Sequence, residues 1–335
     1  MTAFRGAVER GLNAIWYGNS VLSWCLLPLS LLVRFAVKRR RDQAPVKGAT
    51  PDGVMVIVIG GLTVGGTGKT PVLIALGRWL RHCGYRVGVI SRGYRSQTFG
   101  EARQVAPNDD SASVGDEPLL IRQELEVPVV VGRDRRQALG TLLQHNSVDI
   151  VLSDDGLQHY QLPRDLEIVV LDGQRGLGNG RLLPAGPLRE PRERLAEVDW
   201  VLERNSDDPD RGFEYHVKGA RHLASGRLVM WSDCLSQWGD QTLTAMTALG
   251  QPEQFFQMLT TQGLTVTTVS LADHDVIMPQ HLMGVETDIV LITAKDAIKL
   301  SGSIDSRLWV VEIEVGLPAS LLAGLNDKLP TRVQD

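Results

Sequence analysis

A glycine-rich segment between an apolar run and a helical pattern carries the strongest chemical signal in the sequence. The run Val54 to Ile59 precedes the segment, which reads Thr63, Val64, Gly65, Gly66, Thr67, Gly68, Lys69 and Thr70. Small residues let backbone N–H groups wrap phosphates, while the lysine reaches the β- and γ-phosphates and the last hydroxyl coordinates magnesium. We predict a nucleotide phosphate loop, although Thr63 stands where the usual pattern has glycine. The alternative is a glycine-rich turn with a solvent-facing lysine.

Two adjacent aspartates follow another apolar run. Asp154 and Asp155 come directly after the strand predicted over Ile150 to Ser153. Ligand sites of open α/β sheets lie beyond the carboxyl ends of strands, where a carboxylate can hold Mg²⁺ directly or through water. Taken alone, such a pair is more often a turn or a helix cap. With the phosphate loop upstream, the pair predicts a metal site.

A phosphoryl transfer to a hydroxyl also needs a group that accepts or orients the proton. Asp116, in the string GDEP before a predicted helix, is the candidate base, and a helix-capping role is the alternative. Asp273-His274-Asp275 places an imidazole beside two carboxylates, as a proton relay requires. Three loop arginines could neutralise charge on the phosphoryl group or bind a substrate phosphate, although each of them singly is more often a surface ion-pair residue. They are Arg92, Arg135 and Arg189.

Strand and helix patterns alternate along the chain and indicate how these residues are positioned. Apolar runs predict strands at 54–59, 86–90, 127–131, 150–153 and 168–172, with helices at 71–83, 118–124 and 135–144 between them. Such alternation predicts an α/β fold with a doubly wound, mostly parallel sheet of the P-loop NTPase type. After an irregular segment at 173–190, further signals predict a second, smaller α/β lobe. The predicted domains are residues 1–45, 46–195 and 196–335.

Composition limits the class of protein. The chain has 335 residues, 43% of them hydrophobic, with a net charge of −4 and a pI near 6.0. These values are ordinary for a globular protein and argue against a dedicated nucleic-acid binder. Three cysteines, far apart in sequence, indicate a reducing, cytoplasmic environment rather than a disulfide framework or a zinc site.

The N-terminal region combines an apolar run with a basic cluster. The string VLSWCLLPLSLLVRFAV, interrupted by Pro28 and Arg34, is followed by Lys38, Arg39, Arg40 and Arg41. A spanning helix needs roughly 20 predominantly apolar residues, so this segment is marginal. We predict an interfacial helix that meets anionic lipid, and a buried core helix with a solvated basic end is the alternative.

Taken together, several strings resemble one family. They are WYGNSVLSWCLLPLSLL, TVGGTGKTP, SRGY, GDEP, DDGLQH, LPAGPLREP, ADHD and TAKDAIKL, and they run nearly from end to end of the chain. The set resembles the tetraacyldisaccharide 4'-kinases, which phosphorylate a lipid A disaccharide precursor in Gram-negative bacteria. In that family the first glycine of the phosphate loop is typically absent.

The resemblance implies roles for the residues of these strings. Lys69 and Thr70 would bind Mg-ATP, with Asp154 and Asp155 serving the metal. Four more residues fall on positions that the family uses around ATP, metal or acceptor: Arg135, Gln158, His159 and Glu190.

The resemblance also pairs Asp116 with His274 as a catalytic dyad and implies two α/β lobes, with the acceptor near the N-terminal helix. The predicted location is the cytoplasmic face of the bacterial inner membrane, peripheral or monotopic, and we expect neither nucleic acid nor an obligate protein as a partner. Three positions depart from the family pattern, namely Gly61, Asp275 and Ala294.

Two rival functions share some of these features. A P-loop GTPase would normally show Asn-Lys-x-Asp, whereas the nearest string is Ala294-Lys295-Asp296, which lacks both the asparagine and the spacing. A non-enzymatic membrane adaptor could use the nucleotide-binding lobe as a switch. Transfer of phosphate to the lipid would distinguish the kinase from both.

Overall fold

The computed structural model of the chain divides into two compact units. The first contains residues 1–214 and 315–335 and the second contains residues 215–314. The structure describes residues 11–18, 20–44, 50–51, 53–93, 101–239, 241–300 and 305–330. Part of the predicted linker, at 45–49 and 52, and Tyr94 of the SRGY string lie outside these residues.

The first unit is built on a mostly parallel sheet. Its strands are β1 (Met55–Gly60), β2 (Val87–Ser91), β3 (Arg103–Gln104), β4 (Val129–Val131), β5 (Ile150–Asp154), β6 (Leu166–Asp172), β7 (Trp200–Arg204) and the start of β8 (Gly212–His222). They lie in the order β3-β4-β2-β5-β1-β6-β7-β8. All neighbours pair in parallel except β3 with β4. The predicted α/β fold with a mostly parallel sheet is confirmed for this unit.

Helices cover this sheet and precede it in the chain. They are α1 (helical residues 11–17), α2 (Leu22–Cys25), α3 (Leu27–Asp42), α4 (Lys69–His82), α5 (Ser111–Val114), α6 (Asp116–Leu125), α7 (Arg135–His145) and a 3-10 turn at Arg192–Ala196. Helix α4 packs on β1, β2 and β5, α6 packs on α4, and α7 packs on β2 and β4. Strands β1, β5 and β6 are almost entirely buried, as their continuous apolar runs require.

The second unit has its own α/β arrangement. Its elements are the rest of β8, β9 (Leu228–Met230), α8 (Trp231–Gln237), β10 (Leu243–Thr247), α9 (Pro252–Thr261), β11 (Thr267–Ser270), α10 (Pro279–Met283), β12 (Ile289–Thr293), α11 (Ala294–Ala297) and β13 (Leu308–Gly316). Strands β11, β10, β12 and β13 pair in parallel, and β9 forms an antiparallel pair with β8. Helix α12 (Ala319–Asn326) returns to the first unit.

The units differ from the predicted boundaries at 45/46 and 195/196. Strand β7 and the start of β8 extend the first sheet past residue 196, because their backbone pairs with β6 and with each other. The chain then changes unit within β8 and again within β13.

Polar contacts hold the helical N-terminal region against the rest of the first unit. Ser30 Oγ donates to the carbonyl of Leu182 at 2.8 Å, and Trp16 Nε1 donates to the carbonyl of Pro184 at 3.0 Å. The Arg181 guanidinium lies 3.9 Å from the centre of the Trp24 ring. In the described part of the chain, no helix is both long and apolar enough to cross a membrane.

Candidate active site

The glycine-rich loop connects β1 to α4 and turns its backbone through left-handed conformations. Gly65 has φ +103° and Gly68 has φ +91°, values that side-chain-bearing residues rarely adopt. Gly68 is the N-cap of α4, so Lys69 and Thr70 form the first turn of that helix. The free N–H groups and the dipole of a helix N-terminus favour an anion. The predicted strand, loop and helix arrangement of a phosphate site is present.

Thr63, the departure from the usual loop pattern, lies in an extended bridge. It pairs antiparallel with Leu188, Val64 N donates to the carbonyl of Pro187 at 3.0 Å, and Arg189 N donates to the carbonyl of Leu62. Thr63 is not among the described residues with positive φ, so its backbone does not require glycine. The start of the phosphate loop is therefore held by the segment that carries Arg189.

Asp155 lies between two cations at the end of β5. Both Asp155 oxygens accept hydrogen bonds of 2.9 Å from Arg189, and Lys69 Nζ lies 3.8 Å from Oδ1. Burial alone would raise the pKa of Asp155, but Lys69 and Arg189 outweigh that effect and hold the pKa well below its usual range. Asp155 is therefore ionised at neutral pH, and it connects the lysine of the phosphate loop to the following loop.

Asp154 has a different environment, although it is the neighbouring residue. Its carboxylate is buried and accepts a hydrogen bond of 2.9 Å from Ser91 Oγ at Oδ2, while Oδ1 has no hydrogen-bond partner within the described residues. Burial, followed by the negative charges of Glu117 and Asp155, raises the pKa of Asp154 to about 7. A buried carboxylate with an oxygen left over is suited to a cation.

Ser91 and Glu117 were not among the predicted site residues. Ser91 ends β2 next to β5, and Glu117 follows Asp116 in the first turn of α6. Both belong to strings that the sequence analysis singled out, SRGY and GDEP. Their positions in those strings were the available signal, but neither type of residue is distinctive at a strand end or helix start.

Arg135 supports the backbone beneath the aspartate pair. Its side chain is buried, with Nη1 donating to the carbonyl of Gly132 at 2.9 Å and Nη2 to the carbonyl of Asp154 at 2.8 Å. Burial lowers the pKa of Arg135 to about 10, against the opposing pull of Asp154 and Asp155, so it remains a cation. The contacts are those of a residue that holds a strand end, and the predicted contact with a transferred phosphoryl group stays a prediction.

Gln158 and Glu190 connect the loop after β5 to the start of the phosphate loop. Gln158 Nε2 donates to the carbonyl of Gly61 at 3.2 Å and to Glu190 Oε1 at 2.8 Å. Glu190 is completely buried and also lies 3.4 Å from Arg194. These two predicted nucleotide-site residues are therefore brought together.

His159 follows them and is half-buried. Burial, together with the positive charges of Arg135 and Arg92, lowers the pKa of His159 to about 4. The imidazole is therefore neutral at physiological pH and can accept or donate one hydrogen bond at each nitrogen according to its tautomer.

The two residues of the predicted dyad lie in different units. Asp116 is the first residue of α6 in the first unit, and the N-cap of that helix is Gly115. His274 is in the second unit, has φ +67° and places Nε2 3.6 Å from Asp273 Oδ2. Their pairing, and the catalytic role of each, stays a prediction.

A family model for the tetraacyldisaccharide-1-P 4'-kinases (LpxK) matches residues 22–330. The chain belongs to this family. A tetraacyldisaccharide 4'-kinase of Alcanivorax borkumensis is 39% identical over 96% of this chain and 98% of its own length. The corresponding protein of Nitrosococcus oceani is 41% identical over 91% of this chain and 90% of its own length.

A solved LpxK structure has the same fold. The crystal structure of LpxK from Aquifex aeolicus, in complex with ATP, superimposes with a TM-score of 0.74 at 28% identity. The match covers 92% of this chain and 99% of the other. The phosphate loop and the aspartate pair of this chain therefore lie on a fold that, in this relative, was solved in complex with ATP.

The string nearest to a guanine-recognition motif, Ala294-Lys295-Asp296, does not present its aspartate for binding a base. Asp296 is completely buried and accepts hydrogen bonds from Thr247 and Thr293, each at 2.7 Å. A carboxylate engaged in this way is not presented to a base. The GTPase interpretation is therefore not favoured.

Proposed function

We propose that this chain transfers the γ-phosphoryl group of ATP to the 4'-hydroxyl of tetraacyldisaccharide 1-phosphate, the lipid A disaccharide precursor. The observation that carries the proposal is the phosphate loop with Lys69 and Arg189 on either side of Asp155, in a chain of the LpxK family. Phosphoryl transfer is catalysed mainly by position and charge. The loop supplies backbone N–H groups and Lys69 for a triphosphate, and Arg189 adds a second cation from the segment that pairs with Thr63.

The chain's own residues fit a magnesium ion beside that loop. Thr70, Asp154 and Asp155 would hold it, because Mg²⁺ typically takes one or two carboxylates and completes its shell with waters and phosphates. Asp154 Oδ1, buried without a partner in the described residues, is the best-suited oxygen. Bound there, Mg²⁺ would neutralise charge on the β- and γ-phosphates.

Asp116 is the proposed acceptor of the proton from the 4'-hydroxyl. It lies in the first turn of α6, next to Glu117, whose charge acts on Asp154. A carboxylate in this position could orient the hydroxyl for attack and take up its proton as the O–P bond forms. The proposal also includes His274 as its partner, on the basis of the family resemblance.

The proposed location is the cytoplasmic face of the bacterial inner membrane. Among the described residues of the N-terminal region, seven apolar side chains are more than half exposed: Val21, Leu22, Trp24, Leu29, Leu31, Leu32 and Phe35. Patches of this kind on a single segment indicate an interaction surface. The basic end of α3 suits anionic headgroups, and an enzyme whose substrate carries acyl chains would need to contact the membrane that holds that substrate. No protein partner is required by this proposal.

The kinase reaction can be tested with labelled ATP. Purified protein, labelled ATP and tetraacyldisaccharide 1-phosphate in mixed micelles should give labelled lipid. Lys69→Ala should abolish transfer, because the cation nearest Asp155 in the phosphate loop is lost. Asp116→Ala should lose most turnover while it retains ATP binding.

Lys328→Ala is the matched control, since it removes a lysine of the first unit whose Nζ lies 4.8 Å from the centre of the Trp200 ring. It should transfer label at the wild-type rate. Absence of transfer by the natural chain would refute the kinase proposal. Equal transfer by Lys69→Ala would refute the role of the loop, and unchanged turnover of Asp116→Ala would leave Asp116 as a helix-start residue.

A further inference from the structure

His274 has a backbone conformation that its surroundings must maintain. Its φ of +67° lies in the left-handed region, which is unfavourable for a residue with a side chain. Such conformations persist where neighbouring contacts over-determine them, and they cluster at functional sites. His274 N donates to the carbonyl of Ala248 at 3.0 Å, so the loop after β11 is tied to the end of β10.

The end of β10 is in turn held by a buried carboxylate. Asp296 Oδ2 accepts from Thr247 Oγ1 at 2.7 Å, and Oδ1 accepts from Ala248 N at 3.1 Å. Ala248 therefore accepts a hydrogen bond from His274 N at its carbonyl and donates one from its own N–H to Asp296. Strands β10 and β12 are parallel neighbours, so the segments that follow them emerge at the same edge of the sheet.

Lys299 holds the other side of His274. Its Nζ donates to the carbonyl of Asp275 at 2.7 Å and to Asp296 Oδ1 at 3.2 Å, and its side chain is buried. Asp296 therefore binds Ala248, the residue that accepts from His274 N, and Lys299 binds the carbonyl of Asp275, the residue after His274. Buried charges are retained only when they are paired and hydrogen-bonded, and both conditions are met.

Thr293 fixes the carboxylate itself. It is the N-cap of α11, accepting from Asp296 N at 3.2 Å while its own Oγ1 donates to Asp296 Oδ2 at 2.7 Å. These contacts explain the spacing in the string TAKDAIKL. Thr293, Asp296 and Lys299 follow one another at intervals of three residues, which brings their side chains together at one short helical turn.

We infer that Asp296 and Lys299 are positioning residues, which act on the reaction through His274 by holding its loop in the left-handed conformation. The inference rests on the proposed function for the reaction that His274 serves, but the positioning itself does not. No contact of Asp296 or Lys299 with a substrate is involved.

The positioning can be measured directly on the imidazole. In the full chain labelled with ¹³C at histidine Cε1, the His274 signal is assigned from its loss in His274→Gln. Thr247→Val removes one hydrogen bond to Asp296 and should shift the His274 signal. Thr247→Ser keeps the hydroxyl and should leave the signal at its wild-type position. Thr293→Val, which removes the other hydroxyl, is the second variant if Thr247→Val does not fold.

Thr242→Val is the matched control. Thr242 begins the same strand region, donates to Asp288 at 2.8 Å and has no link to His274 in the contacts above. It should leave the His274 signal unchanged. A wild-type signal in both Thr247→Val and Thr293→Val, or an equal shift in Thr242→Val, would overturn the inference.

Turnover separates the positioning from the proposed role of His274. Thr247→Val should lower kcat about tenfold with KM for ATP unchanged, because small misplacements of a catalytic group are costly. In a His274→Ala background the same substitution should have less than a twofold effect. Full turnover of His274→Ala would refute the proposed role of His274, and the NMR shift would still decide whether Asp296 and Lys299 position it.

Discussion

Arg189 and Asp155 form the most directional contact of the candidate site. The two parallel hydrogen bonds of 2.9 Å use the planar fork of the guanidinium, which a lysine cannot reproduce. The same residue follows the segment that pairs with Thr63. Arg189 therefore both orients Asp155 and ties it to the phosphate loop.

We expect Arg189→Lys to lower kcat/KM for ATP by roughly tenfold to hundredfold, because a charged hydrogen bond contributes about 1.5–3 kcal/mol. Steady-state kinetics measures this loss. Arg86→Lys is the control, since Arg86 makes a similar multiple contact with Asp149 on the surface of the same unit. Equal kinetics for the two variants would show that the geometry at Asp155 is immaterial to catalysis.

His159 should make the stability of the fold depend on pH. Burial keeps its pKa at about 4 in the folded chain, below the value of about 6.5 typical of an unfolded chain. Between these values the unfolded chain binds a proton that the folded chain does not, so the stability that is present above pH 6.5 is lost as the pH falls towards 4.

Relative to His159→Gln, we therefore expect the wild type to lose about 1–2 kcal/mol between pH 7 and pH 4.5, after allowance for partial exposure. Urea-denaturation midpoints of the two proteins at each pH give the difference. His145→Gln, at the exposed end of α7, is the control and should show no comparable change. A pH-independent difference for His159→Gln would mean that its imidazole is solvated.

At the residue scale, the sequence was informative where residue type and position are both restrictive. The phosphate loop was predicted because glycines before Lys69, between a strand and a helix, have few other uses. Asp154 and Asp155 were predicted only in combination with that loop, since such a pair alone is more often a turn or a helix cap. Sequence spacing could not show that Arg189, 34 residues after Asp155, binds it. It also could not show that Arg135 donates to carbonyls, since a cation in a loop looks the same for either use.

At the scale of elements, β1 and the loop after β5 approach each other more closely than side chains allow. A Cβ on Gly60 would lie 2.6 Å from the Cβ of Leu157 and 3.1 Å from its backbone nitrogen. The glycine at the end of β1 therefore lets the DDGLQH loop lie against the start of the phosphate loop. The nearest atoms are the Cβ and the backbone of Leu157, whose positions do not depend on the rotamer, so rotamer changes cannot relieve a clash.

Gly60→Ala should lower the stability of the protein by about 1–3 kcal/mol, the usual cost of overpacking. Scanning calorimetry should show the loss as a lower Tm. Gly140→Ala is the matched control, because a Cβ there meets nothing within 4 Å on the surface of α7, and alanine favours a helix by up to about 1 kcal/mol. A wild-type Tm for Gly60→Ala would show that the two loops are not packed together.

Elements were predictable when they carried a continuous apolar run. Strands β1, β5 and β6 appear close to their predicted positions because each is buried on both faces. Strand β8 was missed, since its half-exposed residues include charged side chains and glycines. Strand β10 was missed because five residues of ordinary type carry no periodicity. Its burial comes from neighbours that are distant in sequence.

At the scale of the whole molecule, the N-terminal region has one face that packs on the protein and another whose apolar side chains are exposed. Ser23 and Ser30 are buried, and Ser30 accepts from Ala185 N while it donates to Leu182. Leu31, Leu32 and Phe35 are each more than 60% exposed, which is costly in water unless another surface covers them. Because the segment following these residues is basic, we propose an anionic membrane as that covering surface.

Replacing Lys38, Arg39 and Arg40 by glutamine should weaken binding to anionic vesicles roughly hundredfold, since each cation contributes about 1 kcal/mol. Co-sedimentation with vesicles, with and without anionic lipid, measures the change, and added salt should reduce wild-type binding because exposed charges are screened.

Replacing Leu31, Leu32 and Phe35 by serine should weaken binding to both kinds of vesicle, because apolar contact does not depend on headgroup charge. The control replaces exposed Met278 and Met283 of the second unit by serine. If that control lost as much binding as the N-terminal variants, the membrane contact would not belong to this helix.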